Sequence, residues 1–299
     1  MSNKKIVITG ASGFLGSHLV ERLKEATSYE VYALSSKPGQ LKERIGGENI
    51  EYVHKDALDA EMLKESIVVN CAYPRNSTGT GTADGLKYIQ RVFEAAVEGE
   101  ASAIINISSQ SVYSQQRIEA ATEETPVCLE SPYAVGKYAV ELMLESICKG
   151  RGTAYANIRM ASLIGPGFDQ RIVNRFIKQA LEGGSIKAVL SDQKFGFLDV
   201  EDAAESIVNL LNSPMKTWRT TYNVGNNIGY TIEDILLSIK EAFNDRELEM
   251  PEIVYETGTA YGSTIVNYSE LNADTGFEPK KNLRNSVERI INDMQRNSH

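Results

Sequence analysis

Cysteine is scarce in this 299-residue chain. Its three copies, Cys71, Cys128 and Cys148, are odd in number and far apart, so no disulfide framework is expected. Histidine is as rare. His18, His54 and His299 are scattered, and no Cys/His set has zinc spacing, so no metal site is expected. A block of Lys and Arg is also missing. With 31 basic against 40 acidic residues the net charge is −9, which argues against nucleic-acid binding. Long apolar runs are absent too: Ile6-Val7-Ile8 ends before Gly10. A secretory leader needs about 7–15 apolar residues and a spanning helix about 20, so the chain is expected in a reducing cytoplasm, away from membranes. What remains, 42% hydrophobic and 24% charged, is an ordinary globular composition, long enough for one large or two intertwined domains.

Short β-branched runs alternate with helical patterns through the first half. Strands are expected at Lys5–Thr9, Glu30–Leu34, Ile50–Val53, Ile67–Cys71, Ala103–Ile107 and Thr153–Ile158. Helices are expected at Phe14–Lys24, Leu41–Ile45, Ala60–Glu65, Leu86–Glu98 and Pro132–Lys149, the last with its proline where a helix start tolerates one. Near-continuous apolar strands alternating with helices imply an α/β fold, a doubly wound parallel sheet covered on both faces. After Gly165-Pro166-Gly167 the rhythm changes. Helices dominate at Val173–Leu181, Val200–Leu211, Ile232–Phe243 and Leu283–Met294, with brief strands at Ile186–Leu190, Thr221–Val224 and Glu252–Tyr255. The division expected is residues 1–165 as the parallel-sheet domain, with strand and helix returns around 196–226, and residues 166–299 as a smaller, mostly helical region ending in a short free tail.

The first strand runs into Gly10-Ala11-Ser12-Gly13-Phe14-Leu15-Gly16, which opens the first helix. A helix N-terminus offers free N–H groups and partial positive charge to a pyrophosphate, and glycines let the backbone approach it closely. The spacing is G-x-x-G-x-x-G rather than the usual dehydrogenase G-x-G-x-x-G. Cofactor choice should be readable at the end of the second strand, where NAD sites carry an acid for the ribose hydroxyls. Here Leu34-Ser35-Ser36-Lys37 offers none, and Ser36 with Lys37 suits a 2′-phosphate, so NADP is modestly favoured.

The fifth strand leads into Ser108-Ser109-Gln110-Ser111, and Ser131-Pro132-Tyr133-Ala134-Val135-Gly136-Lys137 follows. Tyr133 and Lys137 are spaced i,i+4 and so share one helix face. A phenol ionises near pH ~10 in isolation, and a nearby ammonium favours the phenolate. With Ser109 to hold the same substrate oxygen, the three make a hydroxyl–carbonyl proton-transfer site beside a dinucleotide.

On these residues the chain resembles an extended short-chain dehydrogenase/reductase of the NAD(P)-dependent sugar epimerase/dehydratase family. Further matches are Ile158-Arg159 with Gly165-Pro166, Phe197-Leu198-Asp199-Val200-Glu201-Asp202 for F-x-x-V-D-D, Tyr222-Asn223-Val224-Gly225 for Y-N-V-G, and Gly276-Phe277-Glu278-Pro279. The resemblance implies a Rossmann-type sheet and a smaller C-terminal substrate domain. It makes Tyr133 the general acid/base, Lys137 its partner and ribose ligand, and Ser109 the residue that orients the substrate. It places Gly10, Gly13, Phe14, Leu15, Gly16, Asp56, Ala57, Cys71, Ala72 and Tyr73 along the cofactor. It also implies a homodimer built on the helices around Leu86–Glu98 and Pro132–Lys149.

The departures narrow the chemistry. Sugar dehydratases of the family carry an Asp-Glu pair after the catalytic Ser/Thr, where this chain has Gln110 and Ser111, substrate contacts that do not ionise. Members acting on nucleotide sugars carry an Asn and an Arg at the positions of Ser162 and Phe195, and Arg75, Arg171 or Arg175 is the available substitute. Arg75 follows Tyr73-Pro74, and the Gly/Thr-rich Ser77–Thr82 beyond is either a substrate loop or an ordinary connection. Glu119, Glu123 and Glu124 read as a solvated loop, Cys71 and Cys128 as packing residues, and Trp218 as a packing or rim residue. The function expected is that of an NAD(P)-dependent oxidoreductase or epimerase, transferring hydride at a hydroxyl or ketone of a sugar, with a nucleotide sugar favoured. The alternatives are an NADPH-dependent reductase of a non-nucleotide carbonyl substrate and a non-catalytic dinucleotide sensor.

Overall fold

Alternating residues of the first strand point into different cores, and this sets the architecture. The computed structural model describes residues 4–25, 28–75, 78–168 and 171–296. In β1 (Lys4–Thr9), Ile6 and Ile8 join one apolar cluster while Val7 joins another on the opposite face. Such a strand needs covering on both sides. The first half supplies α1 (Phe14–Lys24), β2 (Tyr29–Ser35), α2 (Pro38–Ile45), β3 (Ile50–His54), α3 (Ala60–Leu63), β4 (Ile67–Asn70), α4 (Thr80–Glu98), β5 (Ala103–Ser109), α5 (Pro132–Cys148) and β6 (Ala154–Met160). Then come β7 (Ser162–Ile164), α6 (Ile172–Leu181), β8 (Ile186–Leu190), β9 (Phe195–Asp199), α7 (Val200–Asn212), β10 (Thr221–Val224), β11 (Gly229–Tyr230), α8 (Ile232–Asn244), β12 (Ile253–Thr257), α9 (Ser269–Thr275) and α10 (Leu283–Arg296).

Seven strands form one parallel sheet in the order β10-β6-β5-β4-β1-β2-β3. The chain order reverses between β1 and β4, the switch point beside which open α/β sheets bind ligands. Helices α1, α2 and α7 contribute to the cluster on one face, and α3, α4 and α5 to that on the other. A third core joins Val173, Phe176 and Ile177 of α6, Ile235, Leu236 and Ile239 of α8, and Val287, Ile290 and Ile291 of α10. The expected doubly wound sheet is what the chain forms, and no helix of the described residues is long and apolar enough to cross a membrane.

Several boundaries move for local reasons. Helix α4 starts at Thr80 rather than Leu86, so the Gly/Thr-rich stretch from Thr80 is its first turn; Ser77, like His299 and the expected tail, lies outside the described residues. Helix α9 has no apolar stripe, buries only Leu271 and stops at Gly276, whose φ of 71° is left-handed. Strands β7, β9 and β11 form a small sheet of short segments that carry no clear alternation. Glu123 is half-buried rather than solvated, and its carboxylate accepts the Asn223 amide at 2.6 Å, holding the β10 backbone. Trp218 packs against the main core and donates from its indole to Ser213 at 2.9 Å.

Candidate active site

Polar residues buried at matched strand positions support the site from below. Thr9 donates to Asn70 at 2.7 Å, Asn70 to Asn106 at 3.0 Å, and Asn106 to Asn157 at 2.9 Å. These residues are register partners on β1, β4, β5 and β6, so each amide satisfies the next in an interior that would penalise any one alone.

Above this ladder the glycine loop folds onto itself. Gly10 has φ 66°, and a Cβ there would lie 2.7 Å from the Ala72 amide nitrogen; one on Gly16 would lie 2.2 Å from the Gly10 carbonyl. Helix α1 begins just after Gly13 with no side-chain cap and no acid in its first turn. A bare helix N-terminus in a cradle of glycines fits a dinucleotide pyrophosphate. Several clefts border it, and two of them hold the residues read as cofactor and catalytic contacts. One, of about 340 Å³, is lined by Gly10, Leu34, Ser36, Lys55, Ala72, Tyr73, Asp84 and Tyr88 among others. Lys37 and Ala57 are exposed outside this lining, and exposed Asp56 pairs with Lys55 at 3.1 Å. Lys55, missed in the sequence because it sits one residue past β3, lies 5.1 Å from the Tyr88 ring centroid.

The second cleft, of about 350 Å³, gathers Gly13, Phe14, Leu15, Cys71, Tyr73, Arg75, Ser109, Tyr133, Lys137, Phe168 and Arg171. Ser109 arrives at the end of β5, where its hydroxyl accepts from the Ser111 amide at 3.2 Å and hydroxyl at 3.0 Å. Tyr133 and Lys137 ride on α5, whose start is capped by the Ser131 side chain and by Pro132 at the first turn. The buried Lys137 ammonium donates to the Ile107 carbonyl at 2.7 Å and lies 4.2 Å from the Tyr73 ring centroid and 6.0 Å from that of Tyr133. Burial lowers its pKa to about 7, with Arg75 adding repulsion. Desolvation pushes the Cys71 thiol up to about 12, as suits a packing residue. Gln110 is buried and faces Gln115 and Arg117 instead of the cleft, and Ser111 reaches the site only through Ser109.

A buried ion pair fixes α5 on the sheet. Glu141, four residues beyond Lys137, takes Arg159 of β6 at 2.8 Å and accepts the Ser108 hydroxyl of β5. Arg159 also donates to Tyr113 at 2.9 Å, and Tyr113 to Asn223 of β10. Of the three arginines read as substitutes, exposed Arg75 and half-buried Arg171 line the cleft, while Arg175 is exposed on α6 outside its lining.

Comparison with known proteins agrees with this geometry. The chain is 25% identical over 322 residues to UDP-glucuronic acid decarboxylase 6 of Arabidopsis thaliana, covering 98% of this chain and 90% of the relative. It is 24% identical to a putative UDP-glucose 4-epimerase of Methanocaldococcus jannaschii, covering 98% and 99%. Among solved structures, a mutant UDP-glucuronic acid 4-epimerase of Bacillus cereus in complex with UDP-4-deoxy-4-fluoro-glucuronic acid and NAD superposes with TM-score 0.84 at 20% identity, covering 97% of this chain and 99% of that one. A UDP-N-acetylglucosamine 4-epimerase of Bacillus cereus superposes with TM-score 0.82 at 24% identity, covering 98% and 100%. The family model of NAD dependent epimerases and dehydratases matches residues 6–225, which run from the first strand past the last strand of the seven-stranded sheet. A helix start shaped for a pyrophosphate, with Tyr133 and Lys137 opposite it and that match across most of the fold, leads to one conclusion: the chain belongs to the NAD dependent epimerase/dehydratase family.

Proposed function

We propose that the chain is a nucleotide-sugar epimerase that works on a ring hydroxyl. The observation that carries the reading is the convergence of Ser109, Tyr133 and Lys137 on the cleft that opens from the glycine loop. When bound, the nicotinamide supplies an acceptor and then a donor for hydride. Gly10, Gly13 and Gly16 with the first turn of α1 hold its pyrophosphate, and Lys137 holds the adjoining ribose. Ser109 donates to the substrate oxygen and fixes its position. Tyr133 takes the hydroxyl proton as the carbonyl forms and returns it when the hydroxyl is restored on the other face. Gln110 and Ser111 give no carboxylate for water elimination, which favours epimerisation over dehydration.

The adenosine end supports NADP as the cofactor. The end of β2 has no carboxylate, and Ser36 faces the same cleft as the Lys55 ammonium, which takes the part read for Lys37. Residues 166–299, apart from the returning α7 and β10 and from α9, which packs on the main core, are the substrate-binding part in this reading, built on the third core. Exposed Val135, Ala139 and Leu142 form an i,i+4,i+7 stripe on α5 that suits a homodimer interface, and the enzyme works in the cytoplasm.

The test is Tyr133→Phe. Turnover of UDP-sugars is expected to fall by about 10²–10⁴-fold with dinucleotide binding unchanged. Unaltered turnover in the variant would sink the reading. Native mass spectrometry of the purified protein checks the cofactor: NADP, or preferential uptake of NADPH, supports the adenosine-end argument, and stoichiometric NAD overturns it.

A further inference from the structure

The catalytic cleft is cationic inside an acidic protein. The chain has net charge −9, yet the cleft is lined by Arg75, Lys137 and Arg171 and by no Asp or Glu. Lys137 is engaged by the Ile107 carbonyl. The two guanidiniums have no ion-pair partner among the described residues. They flank the Phe168 ring, with Arg75 5.3 Å and Arg171 5.9 Å from its centroid, and Arg75 is also 5.9 Å from the Tyr133 centroid. Phe168 stacks on Phe14 at 4.6 Å and shields this end of the cleft. Arg171 is anchored as the residue that opens α6, and its Nε is buried with no hydrogen-bond partner. Burial and the neighbouring Arg75 together push its pKa down to about 10. The Arg171 guanidinium, with an unsatisfied buried nitrogen and the exposed Arg75 guanidinium beside it, is costly until an anion pairs with it.

Resting on the epimerase reading above, we infer that Arg75 and Arg171 are the receptor for a carboxylate on the sugar ring itself, so that the substrate is a uronic-acid type of nucleotide sugar. The place of the pair selects the ring substituent. Arg75 lies against the aromatic ring of Tyr133, the residue that handles the reacting oxygen, and a guanidinium fork matches a carboxylate with two parallel N–H bonds. The diphosphate of the carrier is the competing anion, and the experiment separates the two.

The full-length protein loaded with dinucleotide is titrated calorimetrically with UDP, UDP-glucose and UDP-glucuronate, and in a nucleotide-free arm with D-glucuronate and D-glucose. The wild type is expected to bind UDP-glucuronate about 10–100-fold tighter than UDP-glucose, the scale of a paired charge-assisted contact. In Arg171→Gln or Arg75→Gln that preference should shrink to within about threefold while UDP affinity holds, and Arg175→Gln, exposed on α6, should change nothing. Should Arg171→Gln fail to fold, Arg75→Gln on its loop decides. Equal losses for UDP and UDP-glucuronate assign the pair to the diphosphate and overturn the inference, as does a wild type without preference. If no UDP compound binds but D-glucuronate binds over D-glucose, the nucleotide-sugar reading falls and the carboxylate receptor stands. If nothing binds, both fall.

Discussion

Two residues carry consequences that a single substitution exposes. Gly16 faces the Gly10 carbonyl so closely that a Cβ would sit 2.2 Å from it. Gly16→Ala must therefore open the loop, and dinucleotide affinity measured by calorimetry should drop at least tenfold while the fold survives, since the strain is confined to one turn. Lys137 titrates near pH 7 in the native protein against an ordinary 10.5. Between those values the unfolded chain holds a proton that the native chain lacks, so this group's contribution makes stability rise with pH across the window; below about pH 7 the cost of the buried charge is fully present. Lys137→Met should flatten that rise, and urea unfolding at pH 6.5 and 9.5 should place its largest gain over wild type at the lower pH. Tyr133, Lys137 and Ser109 were legible because strand ends and i,i+4 spacing place side chains predictably. Lys55, Phe168 and the orientation of Gln110 were not, because they depend on how loops fold back across the sheet.

At the level of elements, α5 shows how a helix is held in phase with its sheet. Its capping serine and proline set where it starts, but Glu141 sets how it is rotated, through Arg159 of β6 and Ser108 of β5. Removing one partner of a buried pair costs about 3–5 kcal/mol. Glu141→Ala is expected to lose that much in chemical denaturation and to weaken cofactor retention, since Lys137 lies one turn away. The F-x-x-V-D-D segment has a similar part: Asp199 caps α7 and takes Arg289 of α10 at 2.7 Å, while Asp202 accepts the Lys280 and Lys281 amides. That segment was recognisable in the sequence as a pattern, but its partners lie on α10 and on the turn before it, far along the chain. Helices α1 and α7, with apolar stripes along their whole length, were readable to within a residue or two, whereas the Gly/Thr-rich first turns of α4 were not. The polar α9 was not, because Leu271 is the one side chain it buries.

For the molecule as a whole, the exposed stripe on α5 offers the simplest check on assembly. Leu142 is 49% exposed in the single chain, so Leu142→Asp should leave the fold intact and convert the proposed dimer to a monomer in sedimentation velocity. The parallel sheet was legible from alternating apolar strands and helices, whereas the small sheet of β7, β9 and β11 pairs segments separated by a helix or more and left no local trace. The same sheet order has a bearing on how the protein comes to be folded. Strand β10 completes the sheet beside β6, and α7 covers α1, yet both are made after α6 and β8. A nascent chain that has emerged only to residue 165 holds six strands with a bare edge at β6 and an uncovered apolar flank on α1, which is the profile of an aggregation-prone intermediate. A fragment ending there should precipitate on expression, and the cooperative unit in synthesis is nearly the entire chain, its first helix, Phe14–Lys24, waiting on Val200–Asn212 to cover it.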